Sequence, residues 1–288
     1  MPNGIDHIVH VVAELDAGEA FYRRAGFIVS SRNRHPWGTH NHIIQCDGAY
    51  IELLGIGEPE KIVASRPGSF SFGAYNRDFV ENGEGLSMLL MSSLDAKADM
   101  QAFRDAGISD FEVFDFAREG KRADGSIVKL AFSLAYAADP SSPDCGFAAC
   151  QHHFPENFWN LSLQQHDNGA RKMTGVVFVA DHPDQHRDFL LSFTGAAEAV
   201  PHATGFVART PRGDVDVLTP HAFREQHGLL PAIHGPGLSL AAMCFTVSGL
   251  EQTEAVLTKG EVEVHRHSGT LIVPPQAAHG ATLIFSPS

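Results

Sequence analysis

The feature that most constrains this chain is a cadence of one apolar strand, one short helix and three further strand-like runs, heard four times along its length. In the first occurrence the run Ile5 to Val12 precedes a helix from Asp16 to Ala25 that stops at Gly26, and the last strand is Tyr50 to Leu54. The second opens at Leu86 to Met91, and the tripeptide Leu15-Asp16-Ala17 returns as Leu94-Asp95-Ala96 at the head of a helix that stops at Gly107. The third opens at Thr174 to Ala180, with Pro183 in the first helical turn and a stop near Gly195; the fourth opens at Leu240 to Val247 and its helix stops near Gly260. Glycine at each stop suits the left-handed cap that other residues adopt only with strain. Asp16 with Glu19, and Ser248 with Glu251, have capping-box spacing. Four helices bounded alike, each behind an apolar strand, predict an α+β chain of four βαβββ modules.

Two such modules side by side close their inner faces into a cup, so the four predict two cup-shaped domains. The expected boundaries are 1–165, with modules 4–55 and 84–154, and 172–288, with modules 172–220 and 237–286. The Pro/Ser cluster Asp139 to Asp144 reads as a loop inside the second module, before its last strand Gly146 to His152. The linker is expected at Gln165 to Arg171, where His166-Asp167-Asn168-Gly169 reads as a polar turn, and Gly235-Pro236-Gly237 separates the last two modules.

Composition narrows the function. A 288-residue chain with 43% hydrophobic residues can build packed cores. No segment approaches the roughly 20 apolar residues of a membrane span, and the start lacks a signal pattern, so the expectation is a cytoplasmic protein without a membrane partner. A formal charge of -13 with no basic cluster excludes nucleic acid and leaves a small organic substrate. The cysteines Cys46, Cys145, Cys150 and Cys244 have no CxxC spacing, which predicts reduced, mostly buried thiols.

Strand alternation places Ile5, His7, Val9 and Val11 on one face of the first strand and Asp6, Ile8, His10 and Val12 on the other. Both faces are largely apolar, so hydrophobicity does not orient the strand. The opening Ile5-Asp6-His7-Ile8-Val9, the helix with Phe21-Tyr22 ending Ala25-Gly26-Phe27, and the closing Tyr50-Ile51-Glu52-Leu53 resemble a glyoxalase-like domain of the vicinal oxygen chelate (glyoxalase, bleomycin resistance, extradiol dioxygenase) superfamily. His35-Pro36-Trp37-Gly38-Thr39-His40-Asn41 and Cys150-Gln151-His152 resemble segments of bacterial glyoxalase-like proteins; the last two modules match in outline.

The resemblance implies a cup in which residues of the first and last strands of two modules hold a divalent metal. It carries over to His7 and Glu52, and to Gln151 or His152, with His7, Glu52 and His152 preferred. Counting nine residues back from Asp95 gives Leu86 as the counterpart of His7, which cannot bind a metal. Two imidazoles and a carboxylate suit Fe(II), Mn(II), Ni(II) or Zn(II). His40 is the expected acid or base, Asn41, Trp37 and Gln151 the expected substrate contacts, and Phe154, Phe158 and Trp159 further wall residues; Cys150 with His152 makes a thiolate-imidazole pair conceivable. In the later modules Asp216 falls where Glu52 does, but Thr174 and Gly175 stand near the place of His7, which points to a structural half. Two functions stand open: a metal-dependent isomerase, lyase or extradiol-type dioxygenase, or a metal-free protein that sequesters an aromatic ligand in the same cup, as monomer or homodimer.

Overall fold

The computed structural model describes residues 4–121 and 125–288. Strand β1 (Ile5–Val11) leads into helix α1 (Leu15–Arg24), then β2 (Asn33–Arg34), β3 (Thr39–Gln45) and β4 (Tyr50–Ile56). β4 returns parallel to β1 and β3 runs antiparallel to β4, the strand order of a βαβββ module. After helix α2 (Phe72–Glu81) the second module follows as β5 (Gly85–Ser93), α3 (Ala96–Asp105), β6 (Phe114–Lys121), β7 (Ile127–Ala137) and β8 (Gly146–His152). A short α4 (Pro155–Phe158) precedes the third module: β9 (Ala170–Val179), α5 (Arg187–Thr194), β10 (Ala199–His202), β11 (Gly205–Ala208) and β12 (Asp214–Leu218). Helix α6 (Pro220–His227) then leads to β13 (Ser239–Val247), α7 (Leu250–Lys259), β14 (His265–His267), β15 (Thr270–Val273) and β16 (Thr282–Pro287).

The first strands do the pairing. β1 lies antiparallel to β5 and β9 to β13, so module one joins two and three joins four, while β5 and β13 meet at the single pair Leu86–Leu240. Each pair of modules closes around its own apolar interior: Val9, Val11, Met88, Leu90 and Phe132 in the first cup, Val177, Val179, Phe223 and Ile284 in the second. The helix-covered faces of all four modules share a third, larger core that includes Phe21, Phe103, Phe193 and Leu257. Among the described residues no helix is long and apolar enough to cross a membrane.

Local chemistry explains the element ends, with corrections to the sequence reading. Asp95 caps α3, accepting from the N–H groups of Lys97 and Ala98. Asp16 and Ser248 do not cap: α1 is preceded by Glu14 and α7 by Gly249, and Asp16 sits inside the helix, paired with Arg32. Gly195 ends α5 at φ 67, whereas Gly260 at φ -80 leaves the left-handed turn to Glu261. Gly260 is needed for proximity, since a Cβ there would run into the Arg24 carbonyl at the end of α1. The expected turn at His166-Asp167-Asn168-Gly169 is present, closed by the Gly169 N–H on the His166 carbonyl, but it is packed rather than free: the His166 ring lies 2.8 Å from the Gln45 carbonyl oxygen, and Asn168 donates to the Ala25 carbonyl. Helices α2 and α6, absent from the sequence reading, insert Phe72 and Phe79 into the first cup and Ala222 and Phe223 into the second.

Candidate functional site

A β-bulge sets up the site. Ile5 pairs with Met91 and His7 with Leu90, which leaves Asp6 as an extra residue on β1. A bulge re-aims side chains, and here it breaks the expected alternation: Asp6 and His7, predicted on opposite faces, are hydrogen-bonded neighbours. Asp6 Oδ2 lies 2.7 Å from His7 Nδ1 and 3.2 Å from His152 Nε2. His7 Nε2 is 3.6 Å from Glu52 Oε2, and Glu52 Oε1 accepts from Asn41 Nδ2 at 2.6 Å. His35 Nε2 lies 3.8 Å from the same oxygen, its ring fixed by a 2.8 Å contact between Nδ1 and Thr39 Oγ1. Tyr50 stacks on His7 at 4.3 Å.

These groups are buried, and their charges depend on one another. Burial alone would raise the Asp6 pKa, but its bonds to His152 and His7 hold it well below the usual carboxylate range. Burial likewise works against protonated His7, yet Asp6 and Glu52 on its two nitrogens push its pKa up to about 9. Glu52 is lowered against its burial by His7, His35 and Asn41. His35, lacking so close a carboxylate, is carried down to about 4 by burial and is neutral at pH 7.

The structure separates the expected site residues. Asn41 and Trp37 line the cup with His7 and Glu52. His152 points inward, while His153 turns to the other face and contacts Ser133. His40 is not brought into the cup: alternation along β3 sends Asn41 and Ile43 inward and His40 outward, where its Nε2 lies 3.3 Å from Glu58 Oε2. Gln151 also faces away, bonding the Leu94 carbonyl and the Ala96 N–H at the start of α3. Leu86 belongs to the helix-side core; the inward residues of β5 are Met88 and Leu90, which are equally unable to ligate a metal. Phe158 lines the cup, whereas Phe154 sits under Lys129. Cys150 reaches the cup, but burial and the charges of Asp6 and Glu52 push its thiol well up, so it is no thiolate partner for His152.

Above this floor stand Trp37, Phe72, Phe116, Phe132 and Phe158, enclosing about 40 Å³ of free space. That is room for water-sized occupants rather than for the roughly 300–1,000 Å³ of a ligand pocket. A groove of about 610 Å³ adjoins it at the mouth, sharing Ile43, Arg118 and Phe158 and adding Ser30, Asn33, Gln45 and Trp159.

The donors suit a divalent cation. Among the described residues, Asp6, His7 and Cys150 form the group whose ligand atoms all lie within 4.8 Å of one another. His7 and Glu52 approach closely, while His152 stands one carboxylate away from them with a buried Nδ1 that has no hydrogen-bond partner. Buried imidazoles and carboxylates crowded together are the donor chemistry of such centres.

Sequence reasoning passed over Asp6, Tyr50 and Arg118 as site residues, and His35 beyond its place in a motif. Only His35 and Asp6 carried a signal, each being a ligand-type residue beside an expected site residue.

A glyoxalase-like domain profile matches residues 5–194. No protein of curated function matches the sequence. A hypothetical protein from Staphylococcus aureus superimposes with a TM-score of 0.70 at 13% identity, covering 99% of both chains. A triple mutant of 4-hydroxymandelate synthase from Streptomyces coelicolor gives 0.62 at 11% identity, over 99% of this chain and 92% of the other. A xylose isomerase-like TIM barrel/4-hydroxyphenylpyruvate dioxygenase fusion protein gives 0.53 at 12% identity, over 99% of this chain and 49% of the other. Matched by that profile over more than half of its length, the chain belongs to the glyoxalase-like domain family.

Proposed function

We propose that the first cup is the site of a metal-dependent enzyme acting on a small oxygenated organic substrate, by isomerase, lyase or extradiol-type dioxygenase chemistry, and that the second pair of modules is a structural half. The observation that carries this is the buried run His152, Asp6, His7, Glu52, whose successive contacts are 3.2, 2.7 and 3.6 Å. Desolvating such a set is costly, and its own ion pairs repay that cost poorly; a cation gives the set a reason to exist. In this reading His7, Glu52 and His152 hold Fe, Mn, Ni or Zn, and Asp6, bonded to both rings, fixes their orientation. The bound ion supplies Lewis acidity toward a substrate oxygen.

The chain's own residues do the rest. Trp37, Phe116, Phe132 and Phe158 exclude water and receive the apolar body of the substrate. Asn41 keeps Glu52 turned inward through its 2.6 Å bond. His35, neutral and oriented by Thr39, takes the acid-base place expected of His40.

A metal-free binding role is favoured by one observation: Met88 and Leu90 leave β5 without a ligand in the cup. Elemental analysis decides. Protein purified without chelator should carry close to one divalent ion per chain; His7→Ala and Glu52→Ala should lose it, and Asp216→Ala in the second cup should keep it. Wild type without stoichiometric metal, or metal unchanged in both first-cup variants, overturns the enzyme reading in favour of sequestration.

A further inference from the structure

We propose that Arg118 anchors a carboxylate of the ligand at the mouth of the first cup, so that the cup takes an organic acid with an apolar body. This rests on the reading of the cup as a ligand site, with or without metal. Arg118 lies on β6 and lines both the inner cavity and the outer groove. It is partly buried, and among the described residues no carboxylate is within ion-pair reach; its hydrogen bond runs from Nη1 to the Glu119 carbonyl oxygen at 3.4 Å. Glu156 lines the same groove but is exposed and makes no ion pair with it. A half-desolvated guanidinium that feels Glu52 only from beyond contact distance is incompletely paired, and an entering carboxylate matches its two-pronged donor geometry.

Two further observations point the same way. Trp37 lines the cavity, and its buried indole Nε1, a donor only, has no acceptor among the described residues. The cup thus offers unused donors and calls for a ligand rich in acceptors. On the floor the nitrogens of His7 are already taken by Asp6 and Glu52, and Nε2 of His152 by Asp6. The acid group is therefore drawn to Arg118, and a different part of the ligand faces His7 and Glu52. Between these two ends runs an apolar wall, Phe116 stacked on Phe132 at 5.0 Å and Phe158 edge-on to Phe132 at 5.9 Å.

The protein contains two tryptophans, Trp37 and Trp159, and both stand at this site, so intrinsic fluorescence reports its occupancy. Benzoate and phenylacetate are titrated against their neutral isosteres benzamide and phenylacetamide. The acids should bind at least about tenfold tighter than the amides. Arg118→Gln should bring the acids to within about twofold of the amides while leaving amide affinity and melting temperature unchanged, and Arg118→Lys should keep part of the preference. Equal binding of acid and amide, a preference that survives Arg118→Gln, or no quenching by any of the four overturns the proposal. Repeating the titration with EDTA and with His7→Ala separates the two readings. Binding that needs metal yet discriminates through Arg118 supports both, and a preference lost in His7→Ala but kept in Arg118→Gln places the acid on the floor and sinks this one.

Discussion

In the first cup the position beside Val9 holds Glu52; in the second the matching position beside Val177 holds Asp216. Their surroundings then diverge. Glu52 faces His7 from the neighbouring strand, but the place of His7 in the second cup is taken by Gly175, where a Cβ would stand 2.6 Å from the Asp214 carbonyl oxygen. Asp216 turns instead to His202 at 3.0 Å on the rim, and the ladder register, which matches Gly146 to Thr282, puts Ser288 where β8 offers His152. One fold thus supports a polar floor in one half and apolar filling in the other. The difference lies in the residues at these strand positions, since the bulge at Asp6 recurs at Thr174 on β9, and fold alone assigns no activity.

The strongest way to break this contrast is to hollow out the filled cup. Phe223 of α6 is wholly buried there. Phe223→Ala should cost about 3–5 kcal/mol, since a large cavity opens in a packed interior, and should leave metal content and fluorescence titrations of the first cup unchanged. Phe72→Ala on α2 should cost less, because Phe72 borders space that is already open. Denaturant midpoints measure both. Equal losses, or a Phe223→Ala loss below about 1 kcal/mol, would show that the second cup is not the packed structural half described above.

The contrast is sharper still within β1. His7 faces the cup between two carboxylates, while His10 faces the helices, its Nδ1 2.7 Å from the Tyr22 hydroxyl and its Nε2 2.9 Å from the His279 carbonyl oxygen. Burial pushes the His10 pKa down to about 4, and the carboxylates carry His7 up to about 9, from a common 6.5. The unfolded chain takes up a proton that folded His10 refuses, so the His10 contribution is complete above pH 6.5 and is lost as pH falls toward about 4. Folded His7 holds a proton that the unfolded chain releases, so its contribution is complete below pH 6.5 and is lost as pH rises through about 9. In EDTA, these two contributions together peak near pH 6.5 and fall on both sides, each worth at most about 3 kcal/mol. His10→Gln should make the acid limb shallower, the rest being shared by His35 and His227, which burial also carries to about 4, and His7→Gln should flatten the alkaline one. An alkaline limb unchanged by His7→Gln would mean that the ion-pair run does not hold in solution.

The four modules were legible because their signal is repeated: strand, helix and glycine stop recur, and errors at one boundary are corrected by the others. His7 and Glu52 were legible because polar ligand types are rare in buried strands. The bulge at Asp6 was not, since one extra residue in a ladder leaves no trace in a period of two until the partner strand is known. His40 went astray for a related reason: neighbours on a strand face opposite ways, and the motif around it does not say which way is in. Arg118 was hidden because an arginine on an amphipathic strand reads as a solvated side chain until β7 and the groove are placed beside it.

The smallest effect tests how the first cup opens, which the second has no need to do. Its free space is too small for a substrate, and the chain from α4 onward lies over the mouth with Phe158 and Trp159. Gln45 pins that segment twice, donating to the Phe158 carbonyl at 2.8 Å and accepting from the Asn160 N–H at 2.9 Å. Both bonds sit at the groove wall, so Gln45→Ala should loosen the strap without touching the floor, costing about 1–2 kcal/mol for two neutral hydrogen bonds. Tryptophan emission should shift to the red as Trp159 meets water, and stopped-flow mixing with benzoate should show faster association with little change in metal content. Association that stays as slow as in wild type would mean that ligand enters by another route, with Phe158 a fixed wall of the cup rather than its door.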